Sequence, residues 1–291
     1  MNPRPSTSLS RLAALFMLCC TTLALTPERA WAGPWTKEPG RAYVKLSSLN
    51  FTSDTFVAPS GDRVQGTDFR ARTAALYAEV GVFEGLHVQA FVPYVWATNT
   101  FNADTPGQTI YGNLGFGDTI VGVQWTPVKL RLPWAVRLDT KLPLYDVAGI
   151  DGPLASSFPV FGDGQVDLTG WLGLGGSIPG LPMYAFAEVG YRHRTELFAG
   201  EGNGRSFGDG VTFFSQVGYT FRDRVLVGAS VNGIVPFDTS DGITQGFVTV
   251  GPCVAVRVVE QWRVEATYDP MLYARNNSPG PSLSLGVSYS R

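Results

Sequence analysis

Along most of this chain, apolar and polar residues alternate one by one. The clearest stretch is Trp134 to Leu144, WAVRLDTKLPL. Trp134, Val136, Leu138, Thr140, Leu142 and Leu144 interleave there with Ala135, Arg137, Asp139, Lys141 and Pro143. A strand sends successive side chains to opposite faces, so this stretch predicts one greasy face and one face with three charges. Two structures satisfy that pattern. The apolar face packs into the core of a soluble sheet, or it meets lipid on the outside of a membrane barrel whose interior is wet.

The same rhythm recurs from end to end. After Gly33 to Arg41, which reads as a short polar lead-in, strands are predicted at Ala42 to Phe51, Phe69 to Val82, Leu86 to Ala97, Thr119 to Trp125, Trp134 to Leu144 and Val166 to Leu174. Six more are predicted: Ala185 to Tyr191, Phe213 to Phe221, Val225 to Val231, Phe247 to Val258, Trp262 to Tyr268 and Leu283 to Tyr289. The register of Phe69 to Val82 stays open, because turning Glu79 inward turns Arg70 and Arg72 outward near the loop end. Short connections, such as Phe83-Glu84-Gly85, Ile178 to Pro182 and Arg222-Asp223-Arg224, alternate with mostly longer polar ones. The longer ones are read at Ser53 to Asp68, Asn99 to Gly115, Tyr145 to Gly164 and Thr195 to Gly210. That asymmetry belongs to outer-membrane barrels, whose short turns are periplasmic.

Composition sharpens the choice. Charged residues make up only 16% of the 291 residues, low for a soluble surface, while 34 glycines and 20 prolines indicate many turns. Beyond the first 35 residues no apolar run approaches the ~20 residues that a spanning helix needs. A lipocalin-like soluble barrel would put apolar side chains inside and use about eight strands. Twelve strands with all their charged faces outside do not fit so few charges. The fold class expected is therefore all-β: a transmembrane antiparallel up-and-down β-barrel of about twelve strands.

The N-terminus reads as a secretory signal, residues 1–32, with the barrel domain at 33–291. Arg4 and Arg11 precede the apolar stretch Leu12 to Leu25, and Ala30-Trp31-Ala32 fits a cleavage site before Gly33. Leu18 stands before Cys19 where a lipoprotein signal wants a small residue, so lipidation is disfavoured. Cys253 is then alone beyond the signal and has no intrachain disulfide partner. A formal net charge of −2 leaves no basic footprint for nucleic acid. The location expected is the outer membrane of a Gram-negative cell, with outer-membrane lipids, the barrel assembly machinery and a small-molecule solute as partners.

A weak repeat marks hairpin units. Phe-Gly-Asp occurs at Phe116-Gly117-Asp118, Phe161-Gly162-Asp163 and Phe207-Gly208-Asp209, each where a long loop re-enters a strand. Turn chemistry with an aromatic anchor explains it, and an anion-binding or gating role is the alternative.

Short matches run along most of the chain. They are Gly33-Pro34-Trp35-Thr36 with Tyr43-Val44-Lys45-Leu46, Leu76 to Gly81 through Phe91-Val92-Pro93-Tyr94, Gly115 to Asp118, and Phe161 to Gln165. In these the chain resembles the outer-membrane transporter family named for the MetA pathway of phenol degradation. The resemblance implies an outer-membrane barrel associated with uptake of small, often aromatic, compounds, and it carries no defined site. The chain departs from it by ending Val287-Ser288-Tyr289-Ser290-Arg291, with Arg291 where family members tend to have Phe. Recognition by the assembly machinery is what that departure puts in question.

The candidate pore-lining residues are Lys45, His87, Asp118, Arg137, Asp139, Lys141, Asp167, Glu188, Arg192, Arg257, Arg263 and Glu265, with Arg194 and Asp269 on the same inward faces. Such a mixture either sets solute preference in a narrow pore or pairs across strands as lumen structure. Phe91, Trp171, Phe186 and Phe214 are expected inside, as a slide for apolar solutes or as packing under an inward-folded loop. No metal-ligand cluster or cofactor motif is apparent, and no cofactor is expected. A lipid hydrolase would need a nucleophile beside a base, usually histidine. His87 and His193 fall at opposite ends and on opposite faces, so the chain is not expected to be an enzyme. The functional expectation is a barrel for passive uptake of small solutes. The alternative is a barrel plugged by the loops Asn99 to Gly115 and Tyr145 to Gly164, with a structural or surface-binding role.

Overall fold

A computed structural model describes residues 33–128, 130, 132–145, 158–159, 161–198, 207–238 and 244–291. The signal segment 1–32 and most of the loop between Tyr145 and Gly164 lie outside the described residues. Thirteen strands are present among the described residues. They are β1 (Ala42–Val57), β2 (Arg63–Phe83), β3 (Leu86–Phe101), β4 (Thr109–Phe116), β5 (Asp118–Trp125), β6 (Trp134–Pro143) and β7 (Gln165–Ser177), then β8 (Met183–Phe198), β9 (Gly210–Phe221), β10 (Val225–Pro236), β11 (Gly246–Arg257), β12 (Trp262–Arg275) and β13 (Pro281–Ser290). All described strand pairings are antiparallel, and the sheet closes through β1 against β13.

The ring has twelve staves because β4 and β5 are two halves of one. β3 pairs with β5 along Leu86 to Phe91 and with β4 along Tyr94 to Phe101. The break has a local cause. Pro93 cannot donate to the ladder, and opposite it Gly117 donates its N–H to the Pro93 carbonyl at 3.0 Å. Gly117 also sits against the Pro93 ring and the Phe161 carbonyl, leaving little room for a side chain. Two stretches expected to be loops are strand instead. Ser53 to Asp68 narrows to a connection at Ala58 to Asp62, and Asn99 to Gly115 is mostly the upper hairpin of β3 and β4. Polar residues and glycines, such as Thr98 to Thr100 and Gly112-Asn113, interrupt the alternation there and hide the strands.

Alternation sorts the two faces. Leu46, Leu76, Val88, Val123, Leu138, Leu172, Val189, Val217, Val227, Val254, Val264 and Leu285 are all well exposed on the outside of the ring. Lys45, Arg137, Lys141, Asp167, Glu188 and Glu265 make their ion pairs inside it. The open register of β2 resolves with Glu79 inward and Arg70 and Arg72 outward, fixed by the pairing Tyr43↔Glu79 and Asn50↔Arg72 with β1. In the β9–β10 turn, Arg222 and Asp223 both take positive φ, 46° and 53°, the twist that a two-residue hairpin prefers. Putting a charge on the lipid face should be costly. Leu138→Arg is expected to lower stability by about 2–4 kcal/mol, as an outward charge near mid-bilayer does. Urea unfolding in lipid vesicles reads it out.

The C-terminus completes the seam. Arg291 and Ala42 exchange two backbone hydrogen bonds, at 3.0 and 3.1 Å, so the terminal arginine holds a ladder position that any residue's backbone could fill. Tyr289 packs outward on Trp262, ring centres 5.1 Å apart, as an aromatic pair at the short-turn end of the barrel.

Candidate functional site

The segment before β1, expected to be a polar lead-in, runs inside the barrel. Gly40 is tied to β2 through its N–H to the Gly81 carbonyl, and the Lys37 N–H donates to His87 Nδ1 at 3.3 Å. The Gln124 side-chain amide reaches the Gly33 carbonyl at 3.4 Å. Pro34 is buried, and Trp35 meets Tyr184 and Phe186 edge-on at 6.4 and 6.0 Å. Glycines in the wall make this seat. A Cβ on Gly81 would overlap the Glu38 carbonyl, and one on Gly175 would lie 3.0 Å from Trp35 and 3.1 Å from Pro34. Residues 33–40 thus form a strap from β2 to β8 across the short-turn half of the lumen.

Beside the strap, six neighbouring staves contribute to one polar network. Lys37 of the strap pairs with Glu79 of β2 at 3.1 Å, and the Tyr77 hydroxyl donates to Glu79 at 2.6 Å. Gln89 of β3 donates to Asp139 at 3.1 Å. Arg137 of β6 pairs with Asp139 and, across the lumen wall, with Glu188 of β8, each at 3.0 Å. Its guanidinium lies over the Trp171 ring of β7 at 4.7 Å, the geometry of a cation–π contact. Gly122 of β5 leaves the room that Asp139 fills, since a Cβ there would overlap its carboxylate.

A second network lies toward the long-loop end, and the three Phe-Gly-Asp repeats converge on it. Lys141 contacts Asp118 at 3.2 Å, Asp167 at 3.1 Å, and Asp163. Arg194 pairs with Asp163 at 2.6 Å and covers the Phe207 ring at 5.0 Å. Asp209 accepts from the Arg194 N–H at 2.8 Å and from the Tyr191 hydroxyl. Phe161 packs on Gly115, and Tyr145 donates to Asp118 at 2.6 Å. Phe161 to Gly164 therefore folds inward and docks on the lysine and arginine. Turn chemistry is only part of what the repeats do, because Asp118 and Asp163 bind Lys141 and Arg194, while the third repeat holds Arg194 through its backbone N–H on Asp209 and through the Phe207 ring.

At Asp163 burial opposes the charged form, but Lys141 and Arg194 outweigh it and hold the carboxyl below its usual range. A carboxylate depressed in the fold contributes stability above its unfolded pKa and loses it as pH falls through the folded value. Unfolding midpoints measured between pH 6 and pH 2 should accordingly drop below about pH 4, the ordinary Asp range. Asp163→Asn is expected to flatten that drop.

The other expected lumen residues are distributed as follows. Lys45 pairs with Glu265 at 2.7 Å, and Glu265 also accepts from Tyr43 and Ser288 at 2.9 and 2.5 Å. Arg192 points inward on β8, on the same face as Arg194 and nearer the middle of the strand. Arg257 reaches the Asp223 carbonyl in the β9–β10 turn, and Arg263 opposes Arg257 in the ladder at the short-turn mouth. His87 is inward but 1% exposed, sealed beneath the strap. His193 is on the outer face near the long-loop end, 3.1 Å from Asp209, far from His87 in the ladder.

Beyond the strap a cavity of about 1320 Å³ opens from the short-turn end. Phe91, Tyr184, Phe186 and Phe214 line one part, with Phe186 and Phe214 ring centres 5.3 Å apart. Lys45, Glu265, Ser230 and Asp269 line another. The strap, Asp163 and the roles of Tyr43, Tyr77, Gln89 and Gln124 were not among the expected site residues. Only the small residues Gly173 and Gly175, on the inward register of β7, hint in the sequence that something packs against that wall.

No protein-family model matches the sequence, and no curated protein matches it. Among solved structures it is similar to a COG4313 outer membrane channel from Pseudomonas putida F1. That similarity has 12% identity and a TM-score of 0.67, over 90% of this chain and 100% of the other. It is also similar to the translocator domain of the autotransporter NalP from Neisseria meningitidis, at 11% identity and TM-score 0.50 over 97% of each chain. A NanC porin matches at 10% identity and TM-score 0.50, over 84% of this chain and 98% of that one. The chain therefore has the fold of outer-membrane barrels, which is the architecture its resemblance to the phenol-degradation family implied.

Proposed function

We propose that this chain is an outer-membrane channel through which small, largely apolar or aromatic solutes pass by diffusion, without energy coupling. The observation that carries the reading is the cavity of about 1320 Å³ with an aromatic wall facing a polar one. Small-molecule sites usually occupy ~300–1,000 Å³ and combine apolar walls with a few oriented polar groups. Phe91 and Phe214, half-buried, offer ring faces and edges to a flat solute, with the buried Phe186 packed behind Phe214, and the Lys45–Glu265 pair offers a donor and an acceptor. The inward charges, being mostly paired, leave little net field to favour one ion sign.

The plugged-barrel reading is favoured by one specific observation: the strap at one end and Phe161 to Gly164 at the other both occupy lumen. The two readings separate in planar bilayers. Refolded residues 33–291 are expected to give small conductance steps that a small aromatic such as phenol or toluene blocks. A folded, heat-modifiable barrel with no conductance and no solute entry into proteoliposomes would sink the channel and leave the plugged barrel.

A further inference from the structure

We propose that Arg70 and Arg72 on the outer wall form a binding site for the phosphate-bearing headgroup of an outer-leaflet lipid. Both arginines lie on the lipid-facing register of β2, an unusual place for a cation. The outward residues below them on the same strand are Ala74, Leu76, Ala78, Val80 and Val82, an unbroken apolar run. From Val82 to Arg72 is ten residues, which at about 3.3 Å each and a tilt of 35–45° spans about 25 Å. That is the height of the apolar band of such barrels, so Arg72 stands at its upper edge, on the long-loop side. With short turns periplasmic, this edge meets the outer leaflet.

The surroundings suit an anionic headgroup. Arg72 is opposite Asn50 of β1 and Trp96 of β3, and Arg70 is opposite Thr52 and Thr98. Residues directly opposite in an antiparallel pair share a face, so hydroxyls and an amide flank the guanidiniums outside the barrel. Ser48, Arg72, Thr73, Ala74 and Trp96 outline a shallow recess there. Trp96, 46% exposed and packed edge-on to Tyr94 at 5.0 Å, is the interfacial aromatic that seats a headgroup above its acyl chains. Two carboxylates are near. Asp68 lies 4.0 Å from Arg70, whose side chain is 69% exposed, and Asp54 is outward on β1 and held by the Thr55 hydroxyl. One long contact on an exposed arginine leaves most of its donors directed outward. Two arginines two residues apart on one face stand about 6.6 Å apart along the strand, within reach for their long side chains to converge on one phosphate, whose oxygens a guanidinium binds bidentately.

The test uses the full barrel, residues 33–291, in detergent, with bound lipid counted by native mass spectrometry. Probes are bisphosphorylated lipid A, the same glycolipid without phosphates, and inorganic phosphate. Unaltered protein is expected to hold the phosphorylated lipid about thirtyfold more tightly, two surface cations' worth of attraction to an anionic headgroup. Arg70→Gln with Arg72→Gln should abolish that preference while heat-modifiable migration shows the barrel folded. Equal affinity of the unaltered protein for both glycolipids overturns the proposal, and this arm needs no variant to fold. Full discrimination retained by the folded double variant removes it from this arginine pair. Displacement of the lipid by millimolar inorganic phosphate would make the patch a free-anion site and overturn the lipid assignment. So would a dimer lost in the variant with no lipid preference, since a second copy would then be the occupant.

Discussion

Lys141→Ala is expected to destabilise the barrel by about 3–5 kcal/mol, the range seen when one partner of a buried ion pair is removed. Lys141 is the cation on which Asp118, Asp163 and Asp167 converge, and its side chain is 11% exposed while that of Asp167 is 1% exposed. Without it, three carboxylates on β5, β7 and the inward-folded segment lose their common partner, and Arg194 remains to face Asp163 and Asp167. The loss should appear in urea unfolding as a lower midpoint. It should also free Phe161 to Gly164 from the lumen wall and raise any conductance. Lys141→Arg keeps the charge and is expected to recover most of the stability. A change below about 1 kcal/mol, the scale of an exposed pair, would mean that the network is solvated and weak.

Displacing the strap is expected to raise conductance severalfold at a smaller cost in stability. Gly175→Val puts a branched side chain into occupied space: Pro34, Trp35 and Phe186 already lie within 3.1 Å of where its Cβ would stand, so strap and substituent compete. Overpacking of this kind typically costs about 1–3 kcal/mol; the strap's departure relieves the Pro34 and Trp35 contacts, while the 2.7 Å approach to the Phe186 Cβ on β8 remains. Gly170→Val is a control on the outer face of the same strand, where an added Cβ meets nothing within 4 Å and the strap is untouched. Shortening the chain to begin at Pro39 should reproduce the effect without touching the wall. Unchanged conductance in both Gly175→Val and the shortened chain would show that the strap does not limit the path.

The alternation in WAVRLDTKLPL was enough to read which residues of β6 face lipid and which face the lumen, because a strand has period two and the barrel wall is one layer thick. The same argument put Lys45, Arg137, Lys141, Glu188 and Glu265 inside together, from four different strands. It failed where the period carries no contrast. In the upper parts of β3 and β4 the alternation is broken by Thr98, Asn99 and Thr100 and by Gly112 and Asn113, so Asn99 to Gly115 read as a loop although it is a hairpin. The strap read as a lead-in for a related reason. Gly33 to Glu38 has no alternation, and what holds it is a set of glycine-sized gaps and single hydrogen bonds on β2, β3, β5, β7 and β8.

By itself, then, the sequence determined the class of fold, the number of staves and the facing of most strand residues, all of which depend on neighbours one or two positions away. Partnership was beyond it. Whether Lys141 meets Asp118, Asp163 or Asp167, and whether three Phe-Gly-Asp repeats far apart in the chain gather at one spot, depends on the order and stagger of staves around a closed ring. The register of β2 shows the difference most directly. One strand read alone allowed Glu79 or Arg70 and Arg72 to face the lumen, and the ladder to β1 decided it, because a one-residue slip would reverse every side chain along the strand.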